Sequence, residues 1–110
     1  MTDLGGTNEM ANSEASGMVL LTHAVGLHAR PSVKLTKLAK TFGSAVMVGT
    51  GPEGPWIDAK SIVKVMGAKV PQGSHLHIRA EGPDARDAVA ALIELVQRDF
   101  DETRADVAGN

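Results

Sequence analysis

The apolar residues of this chain recur with two different periods. Leu35, Leu38, Ala39 and Phe42 fall at i, i+3, i+4 and i+7, the stripe of an amphipathic helix. Pro31 suits the opening turn of that helix, where its missing N–H is not needed and its φ is already helical. Gly43 suits its C′ position. Over 75–80 polar and apolar residues alternate, which predicts a strand buried on one face. A second long helix follows Gly82-Pro83-Asp84, with Val89, Leu92, Ile93, Val96 and Phe100 as its apolar positions. Between these lie shorter signals. Residues 18–23 and 45–48 are β-prone, and the turn-dense Gly49-Thr50-Gly51-Pro52-Glu53-Gly54-Pro55 leads to a short strand at 56–59. Ile62, Val65 and Met66 predict a short helix over 61–66 that Gly67 ends. Val70-Pro71-Gln72-Gly73 is a turn.

The element order is therefore β-α-β-β-α-β-α, an α+β pattern. An antiparallel sheet with its helices on one face lets strand alternation and helix stripes bury against each other. Residues 1–17 are rich in Gly, Asn, Ser, Thr and Glu with no hydrophobic period, and read as a disordered N-terminal extension. Residues 18–100 make one domain, and 101–110 a fraying polar tail. The 110 residues allow one modest core.

Composition narrows the function classes. A net charge of −2 with no basic run argues against nucleic acid as a partner. The absence of cysteine excludes disulfides and thiolate metal sites, and fits a cytoplasmic protein. No apolar run approaches the roughly 18 residues that span a bilayer, so no membrane insertion is expected. Residues 1–17 lack the charged and apolar regions of a signal peptide.

The chemistry is concentrated in Gly26-Leu27-His28-Ala29-Arg30-Pro31. The Pro31 signal places His28 at or just before the N-cap of the first long helix. Unpaired backbone N–H groups and the positive end of the macrodipole lie there, and both favour an anion. A nucleophilic imidazole beside such a cradle suggests a histidine that carries phosphate. The helix end and Arg30 both disfavour imidazolium, so His28 is expected to titrate below the ordinary value of about 6.5. Arg30 offers a planar fork of donors to phosphate oxygens. Against this stands the plainer reading of His28 as a surface N-cap residue and of Arg30 as a solvated arginine.

This hexapeptide, followed by Ser32, Val33, Lys34 and Leu35, resembles the active-site signature of the HPr family, the histidine phosphocarriers of the bacterial phosphotransferase system. Downstream, Ala59-Lys60-Ser61-Ile62-Val63-Lys64-Val65 is similar to the family's regulatory-serine segment, in the same order and separation. The resemblance runs from about Met18 to about Phe100. It implies an open-faced β-sandwich of four antiparallel strands with three helices on one face. It also implies a carrier rather than a turnover enzyme, with the phosphoryl group on Nδ1 of His28 and Arg30 orienting it. The donor would be enzyme I, charged by phosphoenolpyruvate, and the acceptor an EIIA-type or dihydroxyacetone-kinase-type histidine. Ser61 would be a second phosphosite, for an HPr kinase/phosphorylase. The resemblance implies a monomer with no bound cofactor and no metal. One departure is Val25, where family members often carry asparagine. The turn-dense connection over 49–55 is also somewhat longer than is common in the family.

Ser61 has a simpler role as well, as an N-cap whose hydroxyl accepts a backbone N–H. Ile62, Val63 and Met66 form either a partner-docking patch or part of the core. Lys34, Lys37, Lys40 and Lys64 would ring such a patch and steer an acidic partner, although each alone reads as a solvated charge. His75 and His77 share one face of a strand, a pairing able to chelate a metal, but neither cysteine nor an HExxH helix supports a metal site. The nucleophile elbow Gly-x-Ser-x-Gly of serine hydrolases is missing. A regulatory protein acting by phosphorylation-dependent docking remains the alternative, in a nitrogen-type branch or a dihydroxyacetone kinase relay.

Overall fold

The structure, a computed structural model, describes residues 13–22 and 29–101. His23, Val25 and the Gly26–His28 part of the hexapeptide lie outside the described residues, as do residues 1–12 and the tail from 102 onward. The order is β1 (Ser13–Leu20), α1 (Ala29–Ala39), β2 (Ala45–Gly49), β3 (Ile57–Asp58), α2 (Ile62–Gly67), β4 (His75–Gly82), α3 (Ala85–Gln97) and a 3₁₀ turn (Asp99–Asp101). The four strands form one antiparallel sheet in the order β1-β4-β2-β3. Alternation decides which face is covered: Leu76, Ile78 and Ala80 of β4 and Val46 and Val48 of β2 are buried with the helices, while their neighbours point the other way. Leu35 from α1, Val65 from α2 and Leu92 and Val96 from α3 complete a core that is fully or nearly fully buried. Three helices on one side and an uncovered sheet face on the other make the open-faced sandwich.

Several boundaries differ from the sequence expectation. β1 begins at Ser13, not Met18, so 13–17 belong to a strand rather than to a tail. Its inward positions there are Ser13, Ala15 and Gly17, too small to leave an apolar signal. Gly17 packs closely under α3, since a Cβ there would come within 2.7 Å of Ile93 Cδ1. α1 ends at Ala39 instead of near Phe42, and the chain tightens into i→i−3 bonds from Thr41 N to Leu38 O and Phe42 N to Ala39 O. β3 keeps only Ile57 and Asp58 of the expected 56–59. α3 ends at Gln97, and Phe100 reaches the core from a left-handed backbone (φ 59°) beyond the helix.

Gly82 closes the sheet onto the turn before β2. It has φ +144°, and a Cβ there would lie 2.6 Å from Ser44 Oγ and 2.7 Å from Ser44 Cα. Asp84 stands at the N-cap position of α3 but its carboxylate does not cap that helix. It accepts from Gly43 N at 2.9 Å, from Ser44 N at 2.8 Å and from the Ser44 hydroxyl. Asp84 N donates in turn to Ser44 Oγ at 3.0 Å. The turn between α1 and β2 is thereby fastened to the turn between β4 and α3.

Candidate functional site

α1 starts at Ala29, so Arg30 lies in its first turn, exposed, with no acidic residue beside it in that turn. Pro31 and Ser32 are buried under it, and the helix is seated by Leu35 and Ala39. Among the described residues the stretch from Ala15 to Pro52 contains no carboxylate side chain, so nothing in α1 offsets its N-terminal dipole. His28 precedes Ala29 in the chain and is not itself described.

Two lysines fix where this helix can point. Lys34 Nζ donates to the carbonyl of Phe100 at 2.9 Å, tying the middle of α1 to the 3₁₀ turn. Lys60 Nζ donates to the carbonyl of Phe42 at 2.8 Å, anchoring the chain just after α1 to the lead-in of α2. Lys34 therefore does not belong to the exposed rim expected of it. Lys37, Lys40 and Lys64 are exposed, as that rim requires.

α2 packs against α1. Its N-cap is Ser61, whose hydroxyl accepts from Lys64 N at 3.3 Å, while Ser61 O accepts from Val65 N at 3.0 Å. Asp58 shapes the approach: its carboxylate accepts from Lys60 N at 2.9 Å. Val65 faces the core, fully buried, so the opposite side of so short a helix must face water. Val63 is 78% exposed and Met66 41%, with Ile62 half-buried. Val63 and Met66 are surface, and Ile62 stands between surface and core. Arg30, Ser61, the exposed apolar residues of α2 and the three lysines thus all belong to the α1–α2 pair and its flanks.

His75 and His77 share the uncovered face of β4, as the alternation predicts. Among the described residues no three potential ligands gather to hold a metal ion, and no helix is long and apolar enough to cross a membrane. Sequence reasoning missed two features. The Asp84 clamp is one: hydrogen bonds from the Ser44 hydroxyl and the Gly43 amide hold its carboxyl below the usual carboxylate range, against the opposing effect of burial. The other is Trp56, which is no strand residue but sits with the Arg79 guanidinium 5.6 Å from its ring centre. A lone tryptophan in a Gly/Pro loop was the available signal.

A small open-faced α+β scaffold thus presents the start of α1 beside a second helix with exposed apolar side chains and lysines around it. Comparison with known proteins gives this scaffold its family. The family model described as the PTS HPr component phosphorylation site matches residues 15–98. The chain is 37% identical over 84 residues to the phosphocarrier protein HPr of Pseudomonas aeruginosa, covering 76% of this chain and 92% of that protein. It is 38% identical over 84 residues to the phosphocarrier protein NPr of Proteus mirabilis, with the same coverage. Among solved structures, HPr from Thermoanaerobacter tengcongensis superposes with a TM-score of 0.74 at 31% identity, over 81% of this chain and 98% of that one. The chain belongs to the HPr family of phosphotransferase-system phosphocarriers, whose members carry a group rather than turn over a substrate.

Proposed function

We propose that His28 is the residue that carries the phosphoryl group, accepting it from phosphorylated enzyme I and passing it to an EIIA-type or related histidine. The observation that supports this most is the start of α1: the helix begins at the residue after His28, with Arg30 exposed in an acid-free first turn. Attack by the neutral imidazole on a phosphorylated donor histidine forms one P–N bond as the other breaks, and the N–H groups and Arg30 neutralise the oxygens in transit. The site is shallow because the group must leave again. Ile62, Val63 and Met66, with Lys37, Lys40 and Lys64, form the face on which donor and acceptor dock in turn. Ser61, half-buried at a helix N-cap beside that face, is the regulatory phosphosite. A phosphate there suits the helix dipole and would act on partners, by setting negative charge in a basic surface.

A second reading concerns the branch. Relatives named HPr and NPr match almost equally well, at 37% and 38% identity. A sugar-uptake EIIA and a regulatory counterpart, in a nitrogen-type branch or a dihydroxyacetone kinase relay, are the acceptor classes to test. The experiment is phosphorylation of the full chain by enzyme I and phosphoenolpyruvate, followed by discharge onto each acceptor class. Acid-labile, alkali-stable label on the wild type and none on His28→Ala is expected. Label that survives in His28→Ala would place the carrier residue elsewhere.

A further inference from the structure

The uncovered face of the sheet is graded from apolar to acidic. At one end Met18 and Leu20 of β1 are 53% and 46% exposed, opposite His77 and His75 of β4. At the other end Glu14 and Glu81 stand directly opposite one another, an arrangement of like charges that disfavours pairing. Arg79 relieves one of the two: its Nη2 lies 3.1 Å from Glu14 Oε2, and its guanidinium also covers Trp56. Among the described residues none forms an ion pair with Glu81. Asp58 adds a further carboxylate on this side, since it registers with Met47, whose neighbours Val46 and Val48 point into the core. Between β1 and the loop of Pro52 and Trp56 runs an open depression of ≈ 620 Å³ floored by His77 and Arg79.

We propose that this face docks an extended basic segment of a partner protein, its apolar side chain over Met18 and Leu20 and its Lys or Arg heads at Glu81, Glu14 and Asp58. The seven residues from Leu20 back to Glu14 span about 20 Å, the reach of roughly six extended residues. Trp56 offers midway a flat apolar wall against which lysine or arginine stems pack. Charge complementarity selects the occupant. Arg30, Lys34, Lys37, Lys40, Lys60, Lys64 and Lys69 all lie on or beside α1 and α2, so that side repels a basic partner and the acidic sheet face attracts it. The helices cover the opposite face of the sheet, so this docking leaves the start of α1 open to the phosphotransfer partners.

The test is a titration of the isotope-labelled full chain, followed by amide and Trp56 indole NMR shifts, with a blocked hexapeptide alternating leucine and arginine. An alternating leucine–glutamate hexapeptide is the control. Expected are shifts centred on 14–20, 75–81 and the Trp56 indole, weakened by salt, with no response to the acidic peptide. Glu81→Lys should weaken binding about fivefold while labelling of His28 by enzyme I is unchanged. Shifts on α1 and α2 or on α3, equal response to both peptides, or no response at all overturns the proposal. Salt-sensitive self-association of the protein alone, perturbing the same residues, overturns it in favour of a second copy.

Discussion

Asp84 and Gly82 are one turn of chain doing two different jobs at Ser44. The Asp84 carboxylate accepts three hydrogen bonds from Gly43 and Ser44, and these hold its titration below the usual carboxylate range. A folded-state value below the unfolded one means stability that is present above the unfolded value and lost as pH falls through the folded one. Unfolding of the wild type and of Asp84→Ala, followed against pH, should therefore show a constant gap above about pH 5 that begins to close near the ordinary carboxyl value of about 3.9 and is lost as pH falls through the lower folded-state value. A gap that stays constant down to strong acid would show that the carboxylate form is not what fastens the turn. Gly82 acts by absence. With φ +144° and Ser44 Cα 2.7 Å from where a Cβ would stand, Gly82→Ala must move backbone rather than a flexible tip. It should cost about 2 kcal/mol or more in chemical denaturation. A loss below about 0.5 kcal/mol would mean that the turn is free to relax.

α2 tests whether capping and regulation separate. Ser61 caps the helix through a 3.3 Å bond in an exposed position, so Ser61→Ala should lose only about 0.5–1 kcal/mol. Aspartate caps as well as serine, so Ser61→Asp should leave stability within about 0.5 kcal/mol of wild type. It nonetheless places a negative charge beside the proposed docking face, and phosphorylation of His28 by enzyme I should slow. If Ser61→Asp is charged as fast as wild type, the regulatory role is wrong and only the cap remains. This helix was legible in the sequence because Ser61, Ile62, Val65 and Gly67 each carry a local signal for cap, stripe or stop. The same holds for β4, where alternation is strict, and for the middle of α1. β1 was half hidden because Gly17 and Ala15 face α3, where close approach demands small residues and erases the hydrophobic pattern. Phe100 fell on the helical stripe of α3 by number, yet it enters the core after the helix has broken into left-handed backbone. The site shows the same division. Arg30, Ser61 and the exposed Val63 and Met66 follow from local spacing. That Lys34 is spent on Phe100 O, and that Trp56 meets Arg79, depends on contacts between residues 66 and 23 positions apart, which no local pattern records.

At the scale of the whole molecule, the net charge of −2 conceals a separation of charge. Seven of the eleven basic residues lie between Arg30 and Lys69, a stretch whose only acids are Glu53 and Asp58. The basic charge gathers around α1 and α2, and the outer face of the sheet carries Glu14, Glu81 and Asp58. Such a dipole turns the protein toward an acidic partner before contact, which raises the association rate more than the affinity of the complex once formed. The consequence can be separated from a contact role by salt. Reversing Lys37 and Lys64 together to glutamate should slow phosphorylation by enzyme I about three- to tenfold at low ionic strength, and the deficit should shrink as salt screens the field. Glu81→Lys reverses charge on the other pole, so its rate at low salt should match or slightly exceed wild type. It should also stabilise the fold by about 0.5 kcal/mol, because it removes the like-charge pair with Glu14. A deficit in the lysine variants that persists unchanged at high salt would assign those side chains to direct contact, and a slowed Glu81→Lys would mean that donor docking extends to the sheet.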